Sequence, residues 1–420
     1  MAFEGFFQAP GTLRKYRSGP LGKIMEGFCD WLLVCSFSQL TIYKHMACVF
    51  RFNEYLSLQS DAVLERVALA KVKEFLEMYP SWCRPRGPLD RHVRNVRYSI
   101  SRFVKYLCSA NLLESCIEPE IYRPLLDEYL KWMRQHQHSA IGTLAVRELS
   151  LIQFLRWLGV QATSQGISGL NAQIVEDFFL TYAKKAGRSA RRSMQSALRT
   201  FLRFCLHRGY IRASLDFSVP TLRTYKLATV PRGLSDENAQ NLLQSINRST
   251  ACGRRDFAMC QLLYTYGVRG GQVRMLRLGD INWAENQILF RALKKGKEIL
   301  VPLTVPVGES LLDYLQNARP HCDYPEVFLT TRAPYHPIIE TSTLSNTISY
   351  HLGAAGIDAP SKGAHAFRHG FASKMLEKGH SLKAIADMLG HRHLSTTFIY
   401  TKVDFNTLSA VGLEWPQEVE

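Results

Sequence analysis

Apolar residues recur at every third or fourth position through most of the N-terminal half of the chain, and this spacing gives an α-helix one apolar face. The pattern predicts helices at residues 24–37, 41–58, 69–79 and 92–108. Residues 117–125 contain Pro119 and Pro124 and predict a linker that enters a further helix at Leu125. Residues 1–20 are rich in arginine, lysine, proline and glycine, and we expect an irregular basic leader there.

The helical pattern of this region recurs further along the chain. Residues 41–56 and 143–158 share the same spacing of apolar and aromatic positions, and residues 94–112 correspond in the same way to residues 192–210. An internal repeat of this kind is most simply a duplicated domain. We therefore predict two copies of one helical module.

The C-terminal part combines helical and strand patterns. Residues 257–276 are helical with a break at residues 266–271, and Ser235 is predicted to cap the helix that follows it. Two β-type runs, at residues 287–290 and 298–303, flank a lysine-rich turn. This arrangement predicts a hairpin with a basic tip.

Two further helices are predicted at residues 364–376 and 382–389, the second capped by Ser381 and ended by Gly390 in a left-handed conformation. Their apolar stripes account for the core. The side chains in this region that a core does not need are His365, Arg368, His369, His391, His393 and Tyr400. They are groups suited to phosphate binding and proton transfer.

Composition sets outer limits on the protein. At 420 residues, two or three domains are expected. The formal net charge of +16 favours a polyanionic partner, of which nucleic acid is the commonest, although charge alone decides little.

The ten cysteines include no Cys-x-x-Cys pair, and we expect reduced core residues of a cytosolic protein with no zinc site. The N-terminus lacks a basic segment followed by an apolar run, so no signal peptide is expected. The most apolar piece, residues 31–37, is far too short to span a membrane.

The order and spacing of the polar side chains carry a family resemblance. Residues 365–369 read His-Ala-Phe-Arg-His, residues 389–391 read Leu-Gly-His, and Tyr400 stands nine residues after that last histidine. This set resembles the C-terminal active-site block of the tyrosine recombinases, also called the phage integrase family. Residues 267–281, with Arg269 third, are similar to the Gly-Leu-Arg…Leu…Leu…Asp-Ile pattern of the same family.

The resemblance implies a mainly α-helical fold with a small antiparallel β-sheet in the C-terminal domain. The expected order is a basic leader (1–20), an N-terminal SAM-like helical domain (21–116), a core-binding SAM-like helical domain (122–215), a linker (216–232), the catalytic domain (233–405) and a C-terminal tail (406–420). The first helical domain departs from the minimal family plan, and a core-type or arm-type DNA-binding domain and a protein-contact domain are alternatives. The tail is expected either to pack on a neighbouring subunit or to fray.

The resemblance also implies a catalytic set. It consists of Arg269, Lys294, His365, Arg368, His391 and Tyr400, supported by His369, Gln272 and Lys297. Arg269 and Arg368 would clamp the non-bridging oxygens of a DNA phosphate, and Tyr400 would attack the phosphorus to form a 3′-phosphotyrosine. Lys294, with Lys295 as the alternative, would protonate the leaving 5′ oxygen. No metal and no cofactor are implied.

The histidines receive more specific roles by the same resemblance. His365 would assist removal of the phenol proton, His391 would hydrogen-bond the phosphate, and His369 would buttress the site. Gln272 stands where the family usually has an acidic residue. An amide orients neighbouring basic groups less strongly than a carboxylate, which puts full catalytic strength in question.

A helix with interleaved arginines ends the second helical module and is expected to lie on DNA. The predicted DNA-binding residues are Arg188, Arg191, Arg192, Arg199 and Arg203. Each neutralised phosphate would release counterions, whereas the alternative for any single arginine is a solvated helix face.

The function implied is site-specific DNA recombination, as an integrase or transposase of a mobile element. The partners implied are double-stranded DNA with specific recombination sites, a homotetramer on DNA with a monomer in solution as the alternative, and companion recombinases; no membrane is involved. The expected location is the cytoplasm of a prokaryote, at the nucleoid. The alternatives are a type IB topoisomerase and a catalytically weak family member that regulates another recombinase, which Gln272 alone favours.

Overall fold

The computed structural model of the chain describes residues 2–60, 62–83, 88–114, 120–221, 233–293 and 297–403. Within them the fold is mainly α-helical with a small antiparallel sheet, which confirms the predicted fold class. The backbone forms two compact units, Met1–Phe50 with Lys226–Glu420, and Arg51–Tyr225. Apart from the five arginines predicted to bind DNA, every predicted site residue belongs to the first unit.

Helices occupy the start of the chain. They are α1 (Ala2–Phe6), α2 (Pro10–Arg17), α3 (Gly22–Val34) and α4 (Gln39–Ser57). The prediction of an irregular leader is wrong, because Phe3, Phe7 and Tyr16 are buried. The ring centroids of Phe3 and Phe7 are 5.3 Å apart, and those of Phe7 and Tyr16 are 5.0 Å apart. Burial of these large aromatic side chains stabilises α1 and α2, whereas their basic residues alone would not hold them against the rest of the protein.

The second unit continues the helical pattern. Its helices are α5 (Leu69–Trp82), α6 (Leu89–Ser109), α7 (Arg123–His136), α8 (Ile141–Leu158), α9 (Ala172–Lys185) and α10 (Arg188–His207). A short strand β1 (Val67–Ala68) pairs in parallel with β2 (Leu113–Glu114). The four helices predicted before residue 110 are confirmed, with their ends shifted by a few residues.

The C-terminal part of the first unit holds the remaining elements. They are α11 (Asp236–Ser245), α12 (Ala251–Tyr266), α13 (Gly270–Arg274), β3 (Ile281–Asn282), β4 (Gln287–Phe290), β5 (Ile299–Pro302), α14 (Val305–Asn317), α15 (Thr341–Ala354), α16 (Ala364–Glu377) and α17 (Leu382–Met388). Two 3₁₀ turns follow, Leu394–Thr396 and Phe398–Val403. Strands β3, β4 and β5 form one antiparallel sheet, in which Leu289 is paired with Leu300, so the predicted hairpin is confirmed.

Helix α12 lies in the core of this part and packs against α14 and α16. Its side chains Met259, Leu262 and Leu263 are fully buried. Two helices begin at caps that the sequence predicts: Ser235 accepts a hydrogen bond from the backbone N–H of Asn238, and Ser381 accepts one from that of Ala384.

Two glycines let the chain pass close to helix α16. The backbone N–H of Leu234 donates to the carbonyl of Ala366 at 3.0 Å. A Cβ added at Gly370 would lie 2.2 Å from the carbonyl oxygen of Leu234, and one at Gly233 would lie 2.6 Å from the backbone nitrogen of Gly370. Only glycine fits both positions, so the start of α11 is fixed against the helix that carries three predicted site residues.

A polar contact strengthens this attachment. The Asp236 carboxylate accepts hydrogen bonds from Lys374 Nζ at 2.6 Å and from the Tyr264 hydroxyl at 2.9 Å. These bonds join α11, α12 and α16.

The cysteines depart from their expected place in the core. Nine are described and all are free, but only Cys29, Cys205 and Cys260 are buried, whereas Cys108 and Cys252 are exposed. The prediction is wrong for most of them because a cysteine within an apolar helical pattern can still lie at the edge of the buried stripe. No helix in the described ranges is long and apolar enough to cross a membrane.

Gly370→Ala is expected to lower the free energy of unfolding by about 1–3 kcal/mol, because the new methyl group overlaps the Leu234 carbonyl. The matched control is Gly353→Ala in α15, where an added Cβ meets no atom within 4 Å. That variant should equal the wild type or exceed it by about 0.5–1 kcal/mol. Chemical denaturation followed by circular dichroism measures both, and equal midpoints for the two variants would contradict the close approach.

Candidate active site

Arg368 is a buried cation held by two backbone carbonyls. Its Nη1 donates to the carbonyl of Gly267 at 3.0 Å and its Nη2 to that of Leu389 at 2.7 Å. Burial, followed by the charge of Arg269, lowers its pKa to about 10, so it remains charged at neutral pH. The two carbonyls fix the plane of the guanidinium, and its other N–H groups have no acceptor within the described part of the chain.

Arg269 stands at the N-terminal boundary of α13, where Gln272 fixes its backbone. The Gln272 side-chain oxygen accepts from the Arg269 backbone N–H at 3.1 Å, and its amide nitrogen donates to the carbonyl of Arg291 at 3.2 Å. A carboxylate could make the first bond but not the second, because it has no N–H. The amide of Gln272 therefore suits both hydrogen-bonding partners at this buried position.

Arg291 links this turn to a buried acid. Its guanidinium contacts Asp280 Oδ1 at 2.7 Å, and the other oxygen of Asp280 accepts from the backbone N–H of Arg277 at 2.9 Å. Sequence reasoning gave no role to Arg291, and its only signal was its place at the end of β4.

His391 and His365 are neutral at physiological pH. Burial, followed by the charges of Arg368 and Arg269, lowers the pKa of His391 to about 4. The pKa of His365 is lowered by the same causes in the same order. His391 Nδ1 is hydrogen-bonded to Thr397 Oγ1 at 2.8 Å, which fixes its ring. Both rings can therefore exchange hydrogen bonds without adding charge.

Tyr400 is buried with its hydroxyl on a histidine. Its phenol oxygen is 3.0 Å from His369 Nδ1, and its ring packs on Ala372, Ile385 and Leu389. Burial raises the pKa of the phenol, and the charges of Arg368 and Arg269 oppose that rise. Burial, and then His365 and Arg368, lowers the pKa of His369.

A cleft of about 670 Å³ lies beside these groups. Its polar and charged lining residues are Arg269, Arg274, Thr341, Ser345, His365, His391, Arg392, His393 and Thr396. Arg368, His369 and Tyr400 are not part of the lining. The predicted residues therefore form two groups: one lines the cleft, and the other consists of the buried Arg368 and Tyr400 with the half-buried His369.

Arg274 and Arg392 are cleft residues that sequence reasoning missed. Arg274 Nη1 donates to the carbonyls of Ile338 and Ile339, and burial lowers its pKa. The sequence could have indicated both residues by their nearness to motif residues. Arg392 directly follows His391, and Arg274 lies five residues after Arg269.

Comparison with known proteins gives concordant matches. Residues 232–407 match the sequence profile of the phage integrase family. The chain is 39% identical over 418 residues to the integrase/recombinase y4rA of Sinorhizobium fredii, with 99% of each chain covered. The chain belongs to the phage integrase family. It is thus a tyrosine-type site-specific DNA recombinase.

More distant members of the tyrosine recombinases cover less of the chain. Tyrosine recombinase XerD of Listeria innocua is 28% identical over 293 residues, which cover 66% of this chain and 94% of XerD. A solved lambda integrase dimer bound to a COC′ core site shares the fold, with a TM-score of 0.53, 18% identity, and coverage of 71% of this chain and 98% of that one.

Some residues expected of a tyrosine recombinase either lie outside the described residues or do not line the cleft. Lys294 and Lys295 lie outside the described residues, as do the whole predicted tail (406–420) and most of the predicted linker (216–232). Lys297 is exposed and does not line the cleft. No group of His, Cys, Asp or Glu in the described ranges is arranged to hold a metal ion.

The five arginines predicted to bind DNA divide into two kinds. Arg191 donates to the carbonyl of Ala186, Arg199 to that of Val219, and Arg203 pairs with the carboxylate of Asp216. The other two, Arg188 and Arg192, are exposed. Three of the five therefore stabilise the fold of their own unit.

The burial of His391 predicts a free energy of unfolding that falls as the pH falls. Because the pKa of His391 is lower when folded than when unfolded, the unfolded chain binds more protons between about pH 6.5 and 4, and stability is lost as pH falls through that window. His391→Gln should reduce the loss between pH 7 and 5 by about 1–2 kcal/mol. Thermal or chemical unfolding across this range measures it. His380→Gln, at an exposed position, is the control, and an equal slope in both variants would contradict the assignment.

Proposed function

We propose that this recombinase cleaves and rejoins DNA through Tyr400, with Arg269, Arg368, His365, His369 and His391 as its acid, base and phosphate-binding groups. The observation that carries the proposal is the contact of the Tyr400 hydroxyl with His369 beside two guanidinium groups whose charges act on it. A phenol in contact with a neutral base and near fixed positive charge suits nucleophilic attack on a phosphodiester.

The cleavage step exchanges one phosphorus–oxygen bond for another. The phenol oxygen of Tyr400 bonds to phosphorus and the bond to the 5′ oxygen breaks, which leaves a 3′-phosphotyrosine and, after protonation, a 5′-hydroxyl. We assign that last proton to Lys294. Rejoining to a new strand reverses the step, so the energy of the phosphodiester is kept and no high-energy cofactor is consumed.

Arg269 and Arg368 bind the two non-bridging oxygens and stabilise the charge that develops on them. Arg368 is suited to this because the carbonyls of Gly267 and Leu389 orient it before DNA binds. His391 and His365, which line the cleft as neutral rings, hydrogen-bond the same phosphate.

The phenol proton goes to His369 in this proposal, although the family resemblance gave that task to His365. His369 Nδ1 is 3.0 Å from the phenol oxygen, whereas His365 lines the cleft, which Tyr400 does not. An imidazole with its own proton on Nε2 accepts at Nδ1. Tyr400 leaves its buried position for the phosphate as it gives up this proton.

Strand exchange between two duplexes needs four active sites, so we assign the active form as a homotetramer on DNA. We further propose an integrase or transposase of a prokaryotic mobile element that acts in the cytoplasm with companion recombinases of the same element. The match to the phage integrase family supports the role of integrase. The alternative of a catalytically weak regulator loses its one support, because Gln272 makes two hydrogen bonds that suit an amide.

Tyr400→Phe is expected to abolish covalent attachment to DNA. Nicked suicide duplexes that carry candidate element ends would trap the wild type as an adduct on a denaturing gel. The control Tyr350→Phe alters an exposed tyrosine of α15 and should leave the adduct yield unchanged. Sequence-specific binding by the wild type without any adduct would overturn the proposal.

His369→Gln is expected to slow adduct formation about 10²–10⁴-fold, the usual contribution of a general base. The base must be neutral, and its pKa is lowered, so wild-type cleavage should decline only below the ordinary histidine range. Single-turnover rates against pH would show this decline in the wild type and in His365→Gln. Loss of the decline in His365→Gln, with its retention in His369→Gln, would return the role of base to His365.

A further inference from the structure

Helix α6 presents an unusual concentration of positive charge. Arg91, Arg94, Arg97 and Lys105 are all exposed. At 100° per residue they fall within an arc of about 120°, over a length of about 21 Å. We call these four residues the α6 face. The buried residues Val96, Ile100, Phe103 and Leu107 occupy the opposite side of the helix.

Intramolecular partners do not neutralise the α6 face. Within the described part of the chain, no hydrogen bond or ion pair engages these four side chains, and Asp90 in the first turn is the acid that α6 itself carries. Other exposed cations of the same unit do have partners, such as Lys71 with Glu74 and Arg123 with Glu148. The four cations of the α6 face are therefore exposed to solvent and close together, although their like charges repel one another.

The aromatic packing shows which helix of the second module α6 corresponds to. In each module one phenylalanine contacts an aromatic ring of the third helix and one of the fourth. The pairs are Phe52–Phe75 at 5.1 Å and Phe52–Phe103 at 6.4 Å, against Phe154–Phe178 at 4.9 Å and Phe154–Phe201 at 6.3 Å. The next ring along repeats too, with Phe103–Tyr106 and Phe201–Phe204 both at 6.2 Å.

Helix α6 thus has the place in its module that α10 has in the other. The two helices contain 21 and 20 residues. They differ in how their cations are used, because Arg191, Arg199 and Arg203 of α10 bind their own unit while the α6 face does not. The two modules therefore share their aromatic packing, but the cations of the α6 face remain available to an external anion.

We propose that the α6 face binds the phosphate backbone of duplex DNA. This inference rests on the proposed function for its choice of polyanion. A protein partner would be expected to use buried aromatic or apolar anchors, whereas four long cationic side chains on one helix face suit phosphates and carry no sequence preference.

The test compares two triple variants that remove the same charge. Arg91→Gln/Arg94→Gln/Arg97→Gln alters the α6 face, and Arg51→Gln/Lys71→Gln/Lys73→Gln alters exposed positions of α4 and α5 in the same unit. The probe is a long random-sequence duplex, with affinity measured by fluorescence anisotropy over a range of salt concentrations. Each lost phosphate contact should lower the slope of log K against log salt by about 0.9, so the α6 triple should lower it by about 3.

The control triple is expected to change that slope by less than about 1, because it makes no contact with phosphate. Equal slopes for the two triples would overturn the inference, as would an unchanged slope in the α6 triple. Arg94→Glu provides a single-site check and should weaken binding more than Lys73→Glu. All substituted side chains are exposed, so unfolding midpoints should match the wild type.

A short nicked suicide duplex separates this inference from the proposed function. Adduct formation on it at saturating protein should be the same in the wild type and in the α6 triple, because saturation offsets weaker binding and no residue of the α6 face belongs to the proposed catalytic groups. If the wild type forms no adduct while the α6 triple still loses its salt slope, the catalytic proposal fails and the DNA-binding face stands. If adducts form normally and the slope is unchanged, the reverse holds.

Discussion

The burial of the Arg368 guanidinium is the constraint on which the rest of the catalytic core depends. A buried cation is costly unless its donors are satisfied, and here two carbonyls satisfy them, one at the end of α12 and one at the end of α17. Each carbonyl lies at a helix end closed by a glycine with positive φ, Gly267 at +59° and Gly390 at +61°. The arginine therefore fixes the positions of three helices while it remains available to an anion.

Helix α16 carries this constraint to the nucleophile. His365, Arg368 and His369 are spaced so that one helix serves the cleft, the buried cation and the Tyr400 hydroxyl together. The same helix is fixed from behind by the Gly233–Gly370 approach and by Asp236 with Lys374. A disturbance at the entry to the catalytic core would thus reach the site through one rigid element, although no residue of that contact lines the cleft.

Gln272 shows how a departure from a family pattern can be a local solution. The residue is buried, and its environment offers one donor, the Arg269 N–H, and one acceptor, the Arg291 carbonyl. An amide satisfies both, whereas a carboxylate would face the carbonyl oxygen with an unpaired negative charge. The acid beside this turn is Asp280, which holds the Arg291 side chain.

By itself the sequence determined the helical pattern, the β4–β5 hairpin, the caps at Ser235 and Ser381 and the order of the motif residues, because these depend on neighbours along the chain. It misjudged the first 20 residues, since it counted their charges and not the burial of Phe3, Phe7 and Tyr16. Tertiary structure alone decided that Tyr400 meets His369 and that three arginines of α10 serve their own fold. Those outcomes depend on which distant groups meet in space, and sequence spacing does not contain that information.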